Sequence, residues 1–270
     1  MSFRQYVTAA ATAGRNVLIG ANLAAIRMLA RPAQLAAYAS ENLFLYRTFV
    51  DGRGIPQRHV WDVLGGSAAT SITLAPTHSY PPWFGPVAVY AVDLVNLCML
   101  CRLLGPKTLF EIGTAGGLSA LHFALNTADD ARIFTLDLPL RTGVQPALQT
   151  TLIDGWHIRG TAAAAGRHVF DARPEAARID CLYGDSALFD YSPWHGKVDL
   201  FFIDGAHSYE YVRSDTQQAL RCVPAGGVIA WHDFGRAGVN GVSRAVLELA
   251  RTGRRVYAVP GGSLAYTIVE

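Results

Sequence analysis

Short apolar runs recur along the C-terminal two thirds of the chain, and stretches with apolar residues at helical spacing separate them. A continuous apolar run bounded by turn residues is typical of a buried strand, and spacing of three or four residues is typical of a helix. Their alternation predicts an α/β fold in which helices connect parallel strands. The predicted strands are 107–112, 132–136, 179–183, 198–203 and 227–231, and the predicted helices are 87–104, 117–126, 208–222 and 240–252.

The end of the chain follows a different pattern. Two apolar stretches, 255–259 and 264–269, are joined by the turn residues Pro260, Gly261 and Gly262, which predicts a hairpin. Its last strand should run antiparallel to its neighbour. We therefore predict a Rossmann-like, doubly wound and mostly parallel sheet with an antiparallel last strand.

A helical extension and a linker are predicted before this sheet. Residues 1–50 are rich in Ala, Leu and Arg at helical spacing, and Pro32 should divide them into two helices. We expect these helices to cap the main domain or to form a homodimer with a second subunit, which is more common than lying on a membrane surface. Residues 51–86 lose this periodicity and gain proline and glycine, which indicates a boundary between 1–86 and a main domain at 87–270.

Composition narrows the classes of partner. The formal net charge is +2 and no basic run occurs, which argues against nucleic acid and favours a small-molecule substrate. Arg15, Arg27 and Arg31 interrupt the apolar N-terminal stretches, so we expect no membrane span and a cytoplasmic location. Cys98 and Cys101 lie in an apolar helical run without a second pair for zinc, and we interpret them as packing residues.

A glycine turn after strand 107–112 indicates the ligand site. Gly113, Gly116 and Gly117 allow the backbone to turn sharply beside a ligand, and such a turn presents free N–H groups. Glu111 precedes the turn, where a carboxylate would repel a pyrophosphate yet could hold a cationic ligand or hydroxyl groups. This residue favours S-adenosylmethionine over a dinucleotide.

Acids follow two further strands at the edge where ligands gather in open α/β sheets. Asp137 closes strand 132–136 and is placed to accept hydrogen bonds from ribose hydroxyls, with a helix N-cap as the alternative. Asp185 and Ser186 follow strand 179–183 and could bond the adenine amino edge, although Gly-Asp-Ser is also an ordinary helix-capping turn. The 47 residues between Asp137 and Asp185 are roughly double the number that one crossover helix and its loops need, so we predict that residues 138–178 form a lid. We expect the segment 80–86 to share that role, although its aromatics could instead anchor it to the core.

The next two strands deliver a second cluster of polar residues. Asp204 and His207 follow strand 198–203, and His232 and Asp233 follow strand 227–231. Asp204, His232 and Asp233 form a candidate site for Mg²⁺, with Mn²⁺ or Zn²⁺ as alternatives. His207 is a candidate general base because an ordinary imidazole titrates at about 6.5. The alternative is a structural histidine that caps the following helix.

These motifs resemble known methyltransferases. Glu111-x-Gly113-x-Ala115-x-Gly117 resembles the first motif of class I methyltransferases, with Ala115 in place of the middle glycine. The segments at 198–212 and 226–234 resemble the metal-assisted small-molecule O-methyltransferases, including the macrolide-sugar methyltransferases and cephalosporin-hydroxylase-like proteins, in which two acids commonly stand at 232–233. The resemblance implies that S-adenosylmethionine binds at Glu111, Gly113, Ala115, Gly117, Ser119, Asp137, Asp185, Ser186 and Asp204.

The predicted function is methyl transfer from S-adenosylmethionine to a hydroxyl of a small molecule or sugar-containing metabolite. Transfer to nitrogen without a metal and a noncatalytic cofactor-binding protein are the alternatives. An NAD-dependent oxidoreductase is disfavoured by Glu111, by the missing third glycine of Gly-x-Gly-x-x-Gly and by the closing hairpin.

Overall fold

The structure is a computed structural model in which residues 55–67, 70–75, 88–139, 144–151, 154–155, 158, 168–236 and 239–270 are described. The predicted helices of residues 1–50, the aromatic segment 80–86 and the boundary at 86 lie outside these residues. Within the described part, no helix is both long and apolar enough to cross a membrane.

A seven-stranded sheet forms the centre of the described structure. The strands are β1 (Thr108–Ile112), β2 (Arg132–Asp137), β3 (Ile179–Tyr183), β4 (Leu200–Ile203), β5 (Val228–Trp231), β6 (Val256–Ala258) and β7 (Ala265–Ile268). Their order is β3-β2-β1-β4-β5-β7-β6. The first five strands pair in parallel, and β7 pairs antiparallel with both β5 and β6. The predicted sheet and its antiparallel last strand are confirmed.

Helices cover both faces of this sheet. They are α1 (Val60–Leu64), α2 (Ala88–Leu104), α3 (Leu118–Asn126), α4 (Tyr209–Cys222) and α5 (Asn240–Arg251), with 3-10 turns at Pro174–Arg178 and Ser192–Trp194. Because successive strand residues point to opposite faces, Leu200 and Phe202 join the core formed with α2 and α3, whereas Phe201 and Ile203 join the core formed with α4 and α5. The predicted elements that the structure describes begin and end within about two residues of their expected positions.

Cys98 and Cys101 are buried in α2 and form no disulfide, as the packing interpretation predicted.

The strand order reverses between β1 and β4, so the carboxyl ends of these two strands flank the crevice in which open α/β sheets bind ligands. The glycine turn and the Asp204 segment both start there.

Candidate active site

The glycine turn after β1 is shaped mainly by contacts within the protein. A Cβ atom on Gly113, where φ is +101°, would lie 2.0 Å from the backbone oxygen of Asp204, and one on Gly117 would lie 2.4 Å from the Phe170 ring. Ala115 also has a positive φ of 43°. The glycines therefore allow β1 to approach β4 and Phe170 to cover the turn, which adds a structural reason to the expected one of ligand approach.

Glu111 is fully buried beneath this turn. Its carboxyl accepts hydrogen bonds from the Ser119 hydroxyl and, at 2.6 Å, from the Thr135 hydroxyl. Burial raises the pKa of Glu111 to about 8, against the opposing influence of both hydroxyls. Glu111 and Ser119, both predicted to contact the cofactor, therefore bind each other in this structure, and direct contact with a ligand stays a prediction.

Asp137 contacts the glycine turn. It ends β2, one carboxylate oxygen accepts the Ala115 N–H at 2.8 Å and the other accepts the Leu138 N–H at 2.7 Å. Burial raises its pKa. Both oxygens are thus bonded to backbone N–H groups beside the glycine turn, and binding of ribose by Asp137 stays a prediction.

Asp185, which follows β3, connects three segments of the chain through hydrogen bonds. Its carboxylate accepts the Tyr211 hydroxyl at 2.7 Å, the Ala147 N–H at 2.7 Å and the Ala187 N–H at 2.9 Å. The Ala187 bond has the form of the capping turn considered as an alternative. Ser186 lies beside it, partly exposed, and the adenine role of both residues stays a prediction.

The cluster predicted at the ends of β4 and β5 is assembled as expected. One ligand atom from each of Asp204, His232 and Asp233 lies within 4.8 Å of the others. His232 Nδ1 is 3.1 Å from an oxygen of Asp204 and 3.4 Å from an oxygen of Asp233. Ligand atoms on neighbouring corners of an octahedral Mg²⁺ site stand about 3 Å apart because each lies about 2.1 Å from the ion. The donor set and its spacing therefore fit a divalent cation.

His207 lies between two carboxylates. Its Nδ1 is 2.6 Å from Asp154 and its Nε2 is 2.7 Å from Asp233. Burial alone would lower the pKa of His207, but the two hydrogen-bonded acids raise it to about 10. The premise of an imidazole titrating near 6.5 is therefore wrong for this geometry, and both ring nitrogens of His207 are protonated at neutral pH.

Asp154 and Arg236 are site residues that sequence reasoning missed. Asp154 belongs to the 138–178 insertion, is buried, and accepts both the backbone N–H and the ring of His207. The Arg236 guanidinium donates to Asp233 at 2.7 Å. A signal for Asp154 was present, since Thr151-x-x-Asp154 has capping-box spacing and the two residues do exchange hydrogen bonds at 2.7 and 3.1 Å.

Comparison with known proteins decides the class of enzyme. Residues 110–234 match the family model described as a methyltransferase domain. Residues 110–234 form a methyltransferase domain. Every site residue that the sequence predicted, from Glu111 to Asp233, lies within the matched range.

Individual relatives resemble most of the chain. A probable O-methyltransferase of Mycobacterium tuberculosis is 26% identical over 215 residues, which span 77% of this chain and 85% of that protein. Among solved structures, cofactor-bound Rv0187 from MTB has a TM-score of 0.49 at 22% identity and covers 68% of this chain and 83% of its own. The O-methyltransferase TomG from Streptomyces achromogenes, involved in tomaymycin synthesis and solved with SAM, has a TM-score of 0.46 at 22% identity and covers 68% and 82%.

Proposed function

We propose that this chain transfers the methyl group of S-adenosylmethionine to a hydroxyl group of a small molecule or sugar-containing metabolite, assisted by a divalent cation at Asp204, His232 and Asp233. One observation carries the proposal. The glycine turn and the cation cluster are adjacent, since Gly113 packs against the backbone of Asp204. A cofactor on the turn and an acceptor at the cluster would therefore be neighbours.

Methyl transfer requires the acceptor oxygen to lie in line with the methyl group, so alignment is the main task of the site. Asp137 would hold the ribose and the turn would hold the amino-acid end of the cofactor. A cation bound at the cluster would orient the acceptor and make its hydroxyl more acidic. Mg²⁺ suits the two carboxylates, and a histidine ligand also suits Mn²⁺ or Zn²⁺.

His207 is the proposed proton acceptor. Asp154 fixes one ring nitrogen, which leaves the other directed at Asp233 inside the cluster. In the unliganded protein this nitrogen is protonated, and its pKa depends on the negative charge of Asp233. A cation bound by Asp233 would offset that charge and lower the pKa of His207, so Nε2 would release its proton to solvent and could then accept the proton of the acceptor hydroxyl.

The test is turnover of labelled S-adenosylmethionine on a panel of hydroxylated and aminated metabolites. We expect methylation of a hydroxyl, loss of turnover in chelator, and recovery with Mg²⁺ or Mn²⁺. His207→Ala should lower the rate by about 10²–10⁴. The exposed His195 offers a control, and His195→Ala should retain the wild-type rate.

Other outcomes favour the alternatives. Full turnover in chelator with methylation of an amine would indicate the metal-free N-methyltransferase. Cofactor binding without turnover on any acceptor would favour the noncatalytic protein.

We further propose that the enzyme is cytoplasmic and forms a homodimer through residues 1–50. Size measurements on the full chain and on a chain lacking those residues would test the homodimer.

A further inference from the structure

Helix α2 carries one acid in an otherwise apolar stretch. Asp93 is fully buried, and it lies outside the range matched by the methyltransferase model. A buried carboxylate is costly unless several donors surround it. The contacts of Asp93 therefore indicate what the residue does.

The first set of contacts comes from the loop between β6 and β7. The carboxylate of Asp93 accepts the N–H of Ser263 at 2.9 Å, the N–H of Leu264 at 3.0 Å and the Ser263 hydroxyl at 2.8 Å. A Cβ atom on Gly262 would lie 2.1 Å from the same carboxylate. The loop approaches Asp93 closely because residue 262 is a glycine, and these donors hold the carboxylate in one orientation.

The second contact of Asp93 is with His232 of the proposed cation cluster. Asp93 Oδ2 lies 3.3 Å from His232 Nε2, and His232 Nδ1 faces Asp204 and Asp233 on the other side of the ring. With acids on both sides of the ring, both nitrogens of His232 hold protons and donate to them. A cation can bind Nδ1 only by replacing the proton on that nitrogen, whereas Asp93, whose orientation is fixed by the loop, faces Nε2 and can keep the proton there.

We propose that Asp93 is a positioning residue for the cation centre: it accepts the Nε2–H of His232 and so commits Nδ1 to the cation. This inference rests on the cation of the proposed function. Asp93 thus adds a third carboxylate to the centre indirectly, through the His232 ring. Such outer partners typically change metal affinity by 10–100-fold.

The experiment measures Mn²⁺ affinity by calorimetry, with cofactor product present, in the wild type and two variants. Asp93→Asn keeps the shape of the side chain and weakens its acceptance from Nε2–H, so we expect affinity to fall 10–100-fold. Asp199→Asn is the matched control. Asp199 also accepts two backbone N–H groups, from Lys107 and Thr108, at the opposite ends of the strands. We expect its Mn²⁺ affinity to stay within about threefold of wild type.

The outcomes separate the two proposals. If the wild type binds Mn²⁺ and Asp93→Asn binds it equally well, or Asp199→Asn weakens binding as much, the positioning role is overturned and the cation site stands. If the wild type binds no Mn²⁺, the cation part of the proposed function fails, and the inference fails with it. If Asp93→Asn does not fold, long-range ¹H–¹⁵N spectra of the Mg²⁺-loaded wild type decide. A His232 ring protonated at Nε2 supports the proposal, and one protonated at Nδ1 overturns it.

Discussion

Glu111, the acid of the glycine motif, should be uncharged in the folded protein at neutral pH. Burial raises its pKa from 4.5 to about 8. Between these two values the unfolded chain has lost the proton while the folded protein keeps it. Stability is therefore fully present below about pH 4 and falls as pH rises toward 8. The wild type should lose free energy of unfolding across this window.

The size of the effect follows from the shift. Each unit of pKa corresponds to about 1.36 kcal/mol, so a shift of roughly 3.5 units amounts to about 3–5 kcal/mol. Glu111→Gln keeps the shape of the side chain and cannot ionise. The amide oxygen can accept from one of the two hydroxyls, and the hydroxyl that faces the amide nitrogen can rotate to accept from it. If that hydroxyl belongs to Thr135, it can then donate to Thr114, 2.7 Å away. Relative to wild type, the variant should be about 3–5 kcal/mol more stable at pH 8.5 than at pH 5.

Urea unfolding followed by tryptophan fluorescence from pH 5 to pH 9 measures this difference. Glu210→Gln, the same change at an exposed position of α4, should leave the pH dependence as in the wild type. A difference between Glu111→Gln and wild type that is the same at pH 5 and pH 8.5 would show that Glu111 is ionised throughout. The prediction that the buried Glu111 is uncharged would then be wrong.

Three further predictions concern the turn and the proton acceptor. Gly113→Ala should lower the free energy of unfolding by about 3 kcal/mol or more, because its Cβ would lie 2.0 Å from a backbone oxygen. Gly116→Ala is the control, and it should lower the free energy of unfolding by less than about 1 kcal/mol, because no atom lies within 4 Å of its Cβ. Urea titrations measure both values. Asp137→Ala should weaken binding of S-adenosylmethionine at least tenfold in calorimetry, since it removes two charge-assisted hydrogen bonds worth about 1.5–3 kcal/mol each, and unchanged affinity would contradict the ribose role. Asp154→Asn should lower kcat about tenfold or more with KM for the cofactor unchanged, and a kcat equal to wild type would argue against orientation of His207 by the insertion.

The sequence predicted what depends on local pattern. Apolar runs located each described strand, and the rule that ligands gather at strand carboxyl ends selected Asp204, His232 and Asp233, which the structure brings together. The rule works because adjacent parallel strands end side by side, as β4 and β5 do. It also placed Asp137 beside the glycine turn, where the Ala115 N–H now reaches it.

The electrostatic state of the site could not be predicted in this way, because it depends on residues distant in the sequence. The ordinary pKa expected for His207 left out the acids that reach its ring from distant segments, Asp154 from the insertion and Asp233 from the next strand. The proton on Nε2 of His232 likewise faces Asp93, which is on a helix that precedes the whole motif region. Strand-end rules identify which side chains meet, whereas the protons they carry are set by buried acids from other segments. A sequence argument for a general base at a strand end therefore needs the acids of every insertion and preceding helix, and here two of them change the protonation state on which the mechanism depends.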